Sequence, residues 1–382
     1  MKIDIRNNIW VIPFTIINLF LFENMGKIYA LSWVNDRIRL VCYALLGILS
    51  MVFLVLYLIK YAGKAKRNSV GMTMVIYLLI LSFLLVWHSN TASDIWLVCT
   101  MIPFSLIMSY YGFSECHEIN RVINIQCVIF CLFWILFMYN KLFLYQAGAG
   151  KLNSIFYLVL LIPFIMCQQH AGWKMILVGL LSIAVVISLK RTAAVILVIA
   201  LIVHLWIKDT GDRTRTLKII IAIIVLAIIT VAIQDRLNVD IIGKFEMMSE
   251  DGGSGRSDIY KVLFANIFNR GVERFIWGDG YYGVINIIGG TAHNDFLEVL
   301  FDFGIIGVIA YINIYVKLVK NYFQMKRKQY PYRSQYLVSI FIFLIMSLLS
   351  HVIMIPTYMM FICLFWGMIL SHFNNYLVKE GQ

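Results

Sequence analysis

Residues 175–203 read MILVGLLSIAVVISLKRTAAVILVIALIV, and the pair Lys190-Arg191 is the only charge in that run. A helix needs about 20 mostly apolar residues to cross a bilayer. Two such runs stand here with almost no loop between them, so the chain must turn at the basic pair. The same pattern extends in both directions. Apolar runs centre near Phe14, Leu49, Leu78, Met101, Cys131, Leu160, Leu180, Val198, Ile224, Ile309, Phe343 and Phe365. That spacing predicts about 12 transmembrane helices.

Composition agrees with the runs. The chain is 61% hydrophobic and 14% charged, with a mean hydropathy of +0.84. Soluble domains are nearer about 45–50% apolar and about 25% charged. There are too few polar residues to cover this much apolar surface in water. The expected fold class is therefore an all-α integral membrane protein. The net charge of +12 is accounted for by basic cytoplasmic loops, without nucleic acid. Lys60, Lys64, Lys66 and Arg67 form one such loop. Lys208, Arg213, Arg215 and Lys218 form a second. Lys317, Lys320, Lys326, Arg327, Lys328 and Arg333 form a third. Counting helices puts all three loops, and both termini, on one side. The first apolar run, behind Lys2 and Arg6, reads as an uncleaved helix because no small-residue cleavage site follows it. The seven cysteines stand singly, mostly in apolar runs, and read as core residues.

Three regions follow: helices over 1–233, a large extracytoplasmic loop over 234–294, and helices over 295–382. The loop is the one long polar stretch of the chain. Loops of that length are functional or carry their own structure. A glycine-rich turn, Gly252-Gly253-Ser254-Gly255, precedes a predicted helix from Ser257 to about Asn269, with Ser257 as its N-cap. A second glycine-rich stretch, 277–290, is expected to lead back to the membrane, with a flexible or tightly turning loop at 278–283. Within it, Gly278-Asp279-Gly280-Tyr281-Tyr282-Gly283 has the spacing GxGxxG. It lacks the βαβ setting of a dinucleotide site.

Chemistry is expected at the outer boundary. His293 closes the loop as a candidate base or substrate positioner. Asp295, Glu298 and Asp302 follow at i, i+3, i+7 and share one helical face. Acids at a helix mouth avoid lipid and face the bundle interior or a wet cavity. First-turn acids also favour a helix start by themselves. Arg191, in a short outward turn, suits either a lipid-borne phosphate or interfacial snorkelling beside Lys190. Arg256 follows the glycine run, whose backbone can approach an anion. Arg270 and Arg274 add to the same field. Asp258, Asn294, Asp295 and Glu298 are candidate supporting residues. The remaining histidines, His351 among them, show no metal-ligand spacing, and no metal or other cofactor is expected.

Ser188 to Thr192, Ser254-Gly255-Arg256, Gly278-x-Gly280, then His293-Asn294 with Gly304 and Gly307, occur in that order. This ordered set resembles the O-antigen polymerase and ligase superfamily, which includes Wzy-type polysaccharide polymerases. The resemblance covers about the C-terminal half and implies a GT-C-like membrane glycosyltransferase. It implies a donor glycan on undecaprenyl diphosphate at the outer face of the bacterial cytoplasmic membrane. It implies diphosphate-binding roles for Arg191 and Arg256 and the histidine role for His293, without a metal. A flippase and a chain-length-regulating co-polymerase are implied partners. Polymerase is the expected activity, with ligation to lipid A core as the alternative. Transport of a lipid-linked oligosaccharide is the competing class.

Overall fold

The computed structural model describes residues 119–144, 154–208, 256–280, 283–353 and 355–380, with isolated positions in 41–59 and 214–228. The expected spans near Phe14, Leu78 and Met101, the first two basic loops apart from scattered positions, and the glycine turn 252–255 lie outside the described residues. Described secondary structure is helical. The elements are α1 (Ile119–Tyr139), α2 (Ile155–Leu160), α3 (Ile162–Cys167), α4 (Ala171–Ser188), α5 (Arg191–Lys208), α6 (Arg256–Asn269), α7 (Gly271–Trp277), α8 (Gly283–Ile288), α9 (Asp295–Arg327), α10 (Arg333–Leu349) and α11 (Pro356–Glu380). The apolar runs around Cys131, Leu160, Leu180, Val198, Ile309, Phe343 and Phe365 all fall in these helices. Among the described residues, three stretches are long and apolar enough to cross a membrane: Ile119–Phe143, Ala171–Ser188 and Asp295–Arg327.

Hydrogen bonds between helix ends sort the bundle into two ends. At one end, Tyr330 Oη lies 2.7 Å from His372 Nδ1 and Tyr376 donates to the Lys328 carbonyl. Gln335 reaches the Met166 carbonyl at 3.2 Å, and Gln168 reaches Asn124 at 2.9 Å. This end carries exposed Lys326, Arg327 and Lys328, and we call it the basic end. At the opposite end, Thr192 donates to the Leu349 carbonyl and Asn294 to that of Leu348. The turn between α4 and α5, the start of α9 and the turn between α10 and α11 therefore meet there. Between the ends lies an aromatic core. Phe133 meets Tyr157 and Phe361 edge-on, and Trp366 packs edge-on against Phe343 while donating to Ser339 Oγ at 2.9 Å. Such edge-to-face pairs stabilise beyond their buried area.

α9 is broken near its start. Gly304 has φ 64° and ψ −168°, a backbone state open to glycine and not to residues with a Cβ. The break frees carbonyls that helix geometry would have used. The chain after α7 takes them: Asp279 N–H donates to Phe301 O at 2.7 Å and Gly280 N–H to Asp302 O at 3.0 Å. A Cβ on Gly304 would stand 2.1 Å from the Ile276 carbonyl oxygen, and one on Gly278 would stand 2.4 Å from that of Asp302. The GxG stretch is therefore a close backbone-to-backbone seat. Of the turning loop expected at 278–283, residues 278–280 are docked on the break, and the stretch that follows, 283–288, is helical. After the break, α9 runs on for about 35 Å, enough to span a hydrocarbon core of about 30 Å.

Candidate functional site: a histidine pair among cations

The site forms at the end opposite the basic turns. Asn294 caps α9: its side chain accepts from the N–H groups of Phe296 (3.0 Å) and Leu297 (3.2 Å). The residue before the cap, His293, has φ 52°. That left-handed state is uncommon outside glycine, though histidine tolerates it better than most. It turns the chain sharply into the cap. The imidazole of His293 then stacks on that of His351, with ring centres 5.3 Å apart and planes 13° from parallel.

His351 is held in place by a side chain that sequence reasoning assigned to the helix mouth. Asp295 is fully buried. Its carboxylate accepts from Val352 N–H at 3.0 and 3.2 Å, from Ile353 N–H at 3.1 Å and from Tyr311 Oη at 3.0 Å. Glu298 accepts from Ala292 N–H at 2.6 Å, and Asp302 from Val284 N–H at 3.3 Å. The i, i+3, i+7 row of acids does face the interior. There it works as a docking ladder, in which each carboxylate satisfies a backbone donor of a different incoming segment. Buried carboxylates are held at such positions by their donors.

Two cations complete the cluster. Arg256 and Lys190 lie close enough to both imidazoles to act on them electrostatically. Arg256 opens α6, so the helix starts one residue before Ser257. Ser257 is thus in the first turn, which corrects its expected role as N-cap. Lys190 sits in the tight turn after α4, where Leu189 is left-handed at φ 56° and Ser188 Oγ accepts the Lys190 N–H at 3.1 Å. Arg191 opens α5 directly beside it and is partly buried. Burial first, then the charges of Arg256 and Lys190, hold the His293 imidazole below its usual value. His351 is pushed lower, to about 4, by burial first and then by His293, Lys190 and Arg256. Both rings are therefore neutral at pH 7, the state in which an imidazole accepts a proton. His351 Nδ1 is buried and has no hydrogen-bond partner among the described residues.

Other sequence candidates sit differently. Arg270 and Arg274 converge on Asp279: Arg270 Nη2 is 3.7 Å and Arg274 Nε 3.6 Å from its carboxylate oxygens. The Arg270 side chain is 5% exposed and lies 4.7 Å above the Phe301 ring. It also donates to the Arg274 carbonyl. Both arginines thus face the residue that follows the GxG glycine after α7, and Arg270 also reaches the start of α9 through the Phe301 ring. Asp258 is exposed and paired with Lys261 at 3.0 Å. Among the described residues, no three His, Cys, Asp or Glu side chains gather as metal ligands. Sequence reasoning passed over Lys190 and His351. Lys190 stands within the Ser188 to Thr192 stretch but had no role of its own there, and His351 belongs to no readable motif; what marks them is that each occupies a short turn at the same end of the bundle as His293.

Residues 176–312 match the family model Wzy_C, described as O-antigen ligase. Over this stretch the chain is similar to the O-antigen polymerase and ligase superfamily. The Wzy_C stretch begins in α4, takes in Lys190, Arg191, Arg256 and His293, and ends within α9. The expected resemblance and the match fall on the same residues. His351 lies beyond the match. No curated protein matches the chain.

Proposed function

We propose that this protein is a membrane glycosyltransferase that polymerises polysaccharide repeat units. It takes a glycan from undecaprenyl diphosphate and joins it to a hydroxyl of another lipid-linked repeat unit, at the outer face of the bacterial cytoplasmic membrane. The observation that carries this reading is the meeting of Arg256 and Lys190 with the His293–His351 pair, at the end away from the basic turns. Basic turns favour the cytoplasmic side, so the cluster belongs on the other side. The Wzy_C match supports the reaction class. Arg191 stands beside Lys190 as a further candidate for the diphosphate.

The chemistry follows from the groups present. The acceptor oxygen attacks the anomeric carbon, and the bond from that carbon to the diphosphate breaks. Its electron pair leaves on a phosphate oxygen, and the hydroxyl proton passes to neutral His293. Fixed cations stabilise the negative charge that grows on the leaving group. A single displacement inverts the anomeric centre, so retention of configuration in the product excludes this route.

The test uses purified protein with undecaprenyl-diphosphate-linked repeat units and no lipid A core. A ladder of longer lipid-linked chains, lost in Arg256→Ala and His293→Ala, is the expected result. Transfer seen only after lipid A core is added would make the protein a ligase. Movement of the lipid-linked unit across a vesicle membrane, with no new glycosidic bond, would overturn the enzyme reading in favour of a transporter.

A further inference from the structure

His351 is the part of the cluster that the family match does not reach. Its ring is fixed from two directions. The stack on His293 sets its plane, and the Asp295 carboxylate pins the two residues after it. Its Nδ1 is buried without a partner among the described residues. A buried polar atom left unpaired is costly and calls for an explanation, of which a bound group is one. The same ring lies in the field of Lys190 and Arg256. Two cations whose charge reaches a ring with an unpaired nitrogen suit a ligand that is anionic and rich in acceptor oxygens.

A diphosphate that joins a lipid to a sugar has that character. It carries about two negative charges, which Lys190 and Arg256 match, and its free oxygens accept hydrogen bonds. An imidazole offers one N–H donor even when neutral, and which nitrogen carries it depends on its partner. Resting on the transferase reading above, we infer that His351 is a second substrate-binding residue, whose Nδ1–H donates to an oxygen of the lipid-linked diphosphate while Lys190 and Arg256 neutralise its charge. The two stacked rings then divide the work. His293 faces the acceptor and takes its proton, and His351 holds the group that leaves. Their stacking fixes the distance between the two events. Asp295 acts through the turn 350–353 as the positioning residue for His351.

The experiment measures binding of inorganic pyrophosphate to the full-length protein in detergent by calorimetry, beside glycan transfer and thermal midpoint. His351→Phe keeps a flat ring for the stack and removes both nitrogens. Lys190→Met keeps the stem and removes the charge. Each is expected to weaken pyrophosphate at least about tenfold, the worth of one charge-assisted hydrogen bond or contact. His351→Asn, which restores a donor, and Lys190→Arg are expected to recover part of the loss. Wild-type pyrophosphate affinity in His351→Phe overturns the inference, whether or not its thermal midpoint has dropped, since that pattern assigns the ring a structural role. If His351→Phe unfolds, His351→Asn decides: affinity closer to wild type than in Lys190→Met supports the donor role, and no binding overturns it. The two readings fail separately. Glycan transfer that needs Arg256 and His293 but ignores His351 sinks this inference and leaves the transferase. Pyrophosphate binding that needs His351 and Lys190, with no glycan transfer to any acceptor, does the reverse.

Discussion

The two ends of the bundle treat histidine in opposite ways. At the basic end, His372 Nδ1 meets Tyr330 Oη at 2.7 Å, and His204 Nδ1 meets Ser334 Oγ at 3.4 Å. Each ring there has a hydroxyl of its own to bond. At the other end, His293 and His351 stack on each other, two cations press on them, and one buried nitrogen has no bond among the described residues. A satisfied ring fastens helices. An unsatisfied ring among like charges works against folding, and it persists because something else gains from it. The contrast separates fastening from function without reference to any relative.

The largest effect is expected where the outer end is seated. Gly304→Ala forces a Cβ against a carbonyl oxygen at 2.1 Å, in a backbone state that alanine avoids. Little folded protein should reach the membrane, as read by detergent-solubilised yield on size exclusion. Normal yield would show that α7 does not need its close seat on α9.

Next comes the charge. Arg256→Ala should lower glycan transfer about a hundredfold to a thousandfold, the scale seen when one fixed charge-stabilising donor is removed. Its thermal midpoint should hold, because the side chain is partly exposed and has no hydrogen bond or ion pair that fastens it among the described residues. A fall in midpoint with transfer intact would reverse the contrast between the ends.

Asp295→Asn is expected to be intermediate. The amide nitrogen cannot accept from Val352 or Ile353, so a buried donor loses its partner, at about 1–3 kcal/mol. Stability should fall, and pyrophosphate affinity should fall with it because the turn bearing His351 loosens. Loss of stability alone would remove Asp295 from the positioning role.

The histidine pair also predicts an acid limit. The folded state holds His351 at about 4, below its ordinary 6.5. Between those values the unfolded chain binds more protons, so stability rises with pH across the window. The thermal midpoint should therefore drop as pH falls from 6.5 toward 4 and level off below. His351→Phe should flatten part of that slope. An equal slope in wild type and variant would place the titration elsewhere.

The smallest effect belongs to the fastening end. Tyr330→Phe removes the hydroxyl that His372 meets and should cost about 1 kcal/mol of stability, with glycan transfer unchanged. Reduced transfer would mean that the basic end also serves the reaction, and the contrast would fail.

The sequence made the helices legible because lipid imposes a simple rule: a long apolar run must be helical and must cross. Residues 175–203 already hold most of α4, the turn and most of α5. It also made His293, Arg256 and the row of acids legible, since polar groups at a membrane edge are rare. What each acid does was not legible. Asp295, Glu298 and Asp302 look alike as a pattern, yet each takes a different backbone donor, and those donors lie up to 58 residues away along the chain. Arg270 and Arg274 read as part of an anion field, and their pairing with Asp279 depends on the break at Gly304.

Alone, then, the sequence determined that this is a chain of long apolar helices of membrane-spanning character, since apolar run length and charge placement are local properties that solvent reads directly. Tertiary structure alone decided that Lys190 and His351, from two turns separated by most of the bundle, stand with Arg256 and His293. Hydrogen bonds and electrostatic fields act across a few ångströms of space, whatever the distance along the chain.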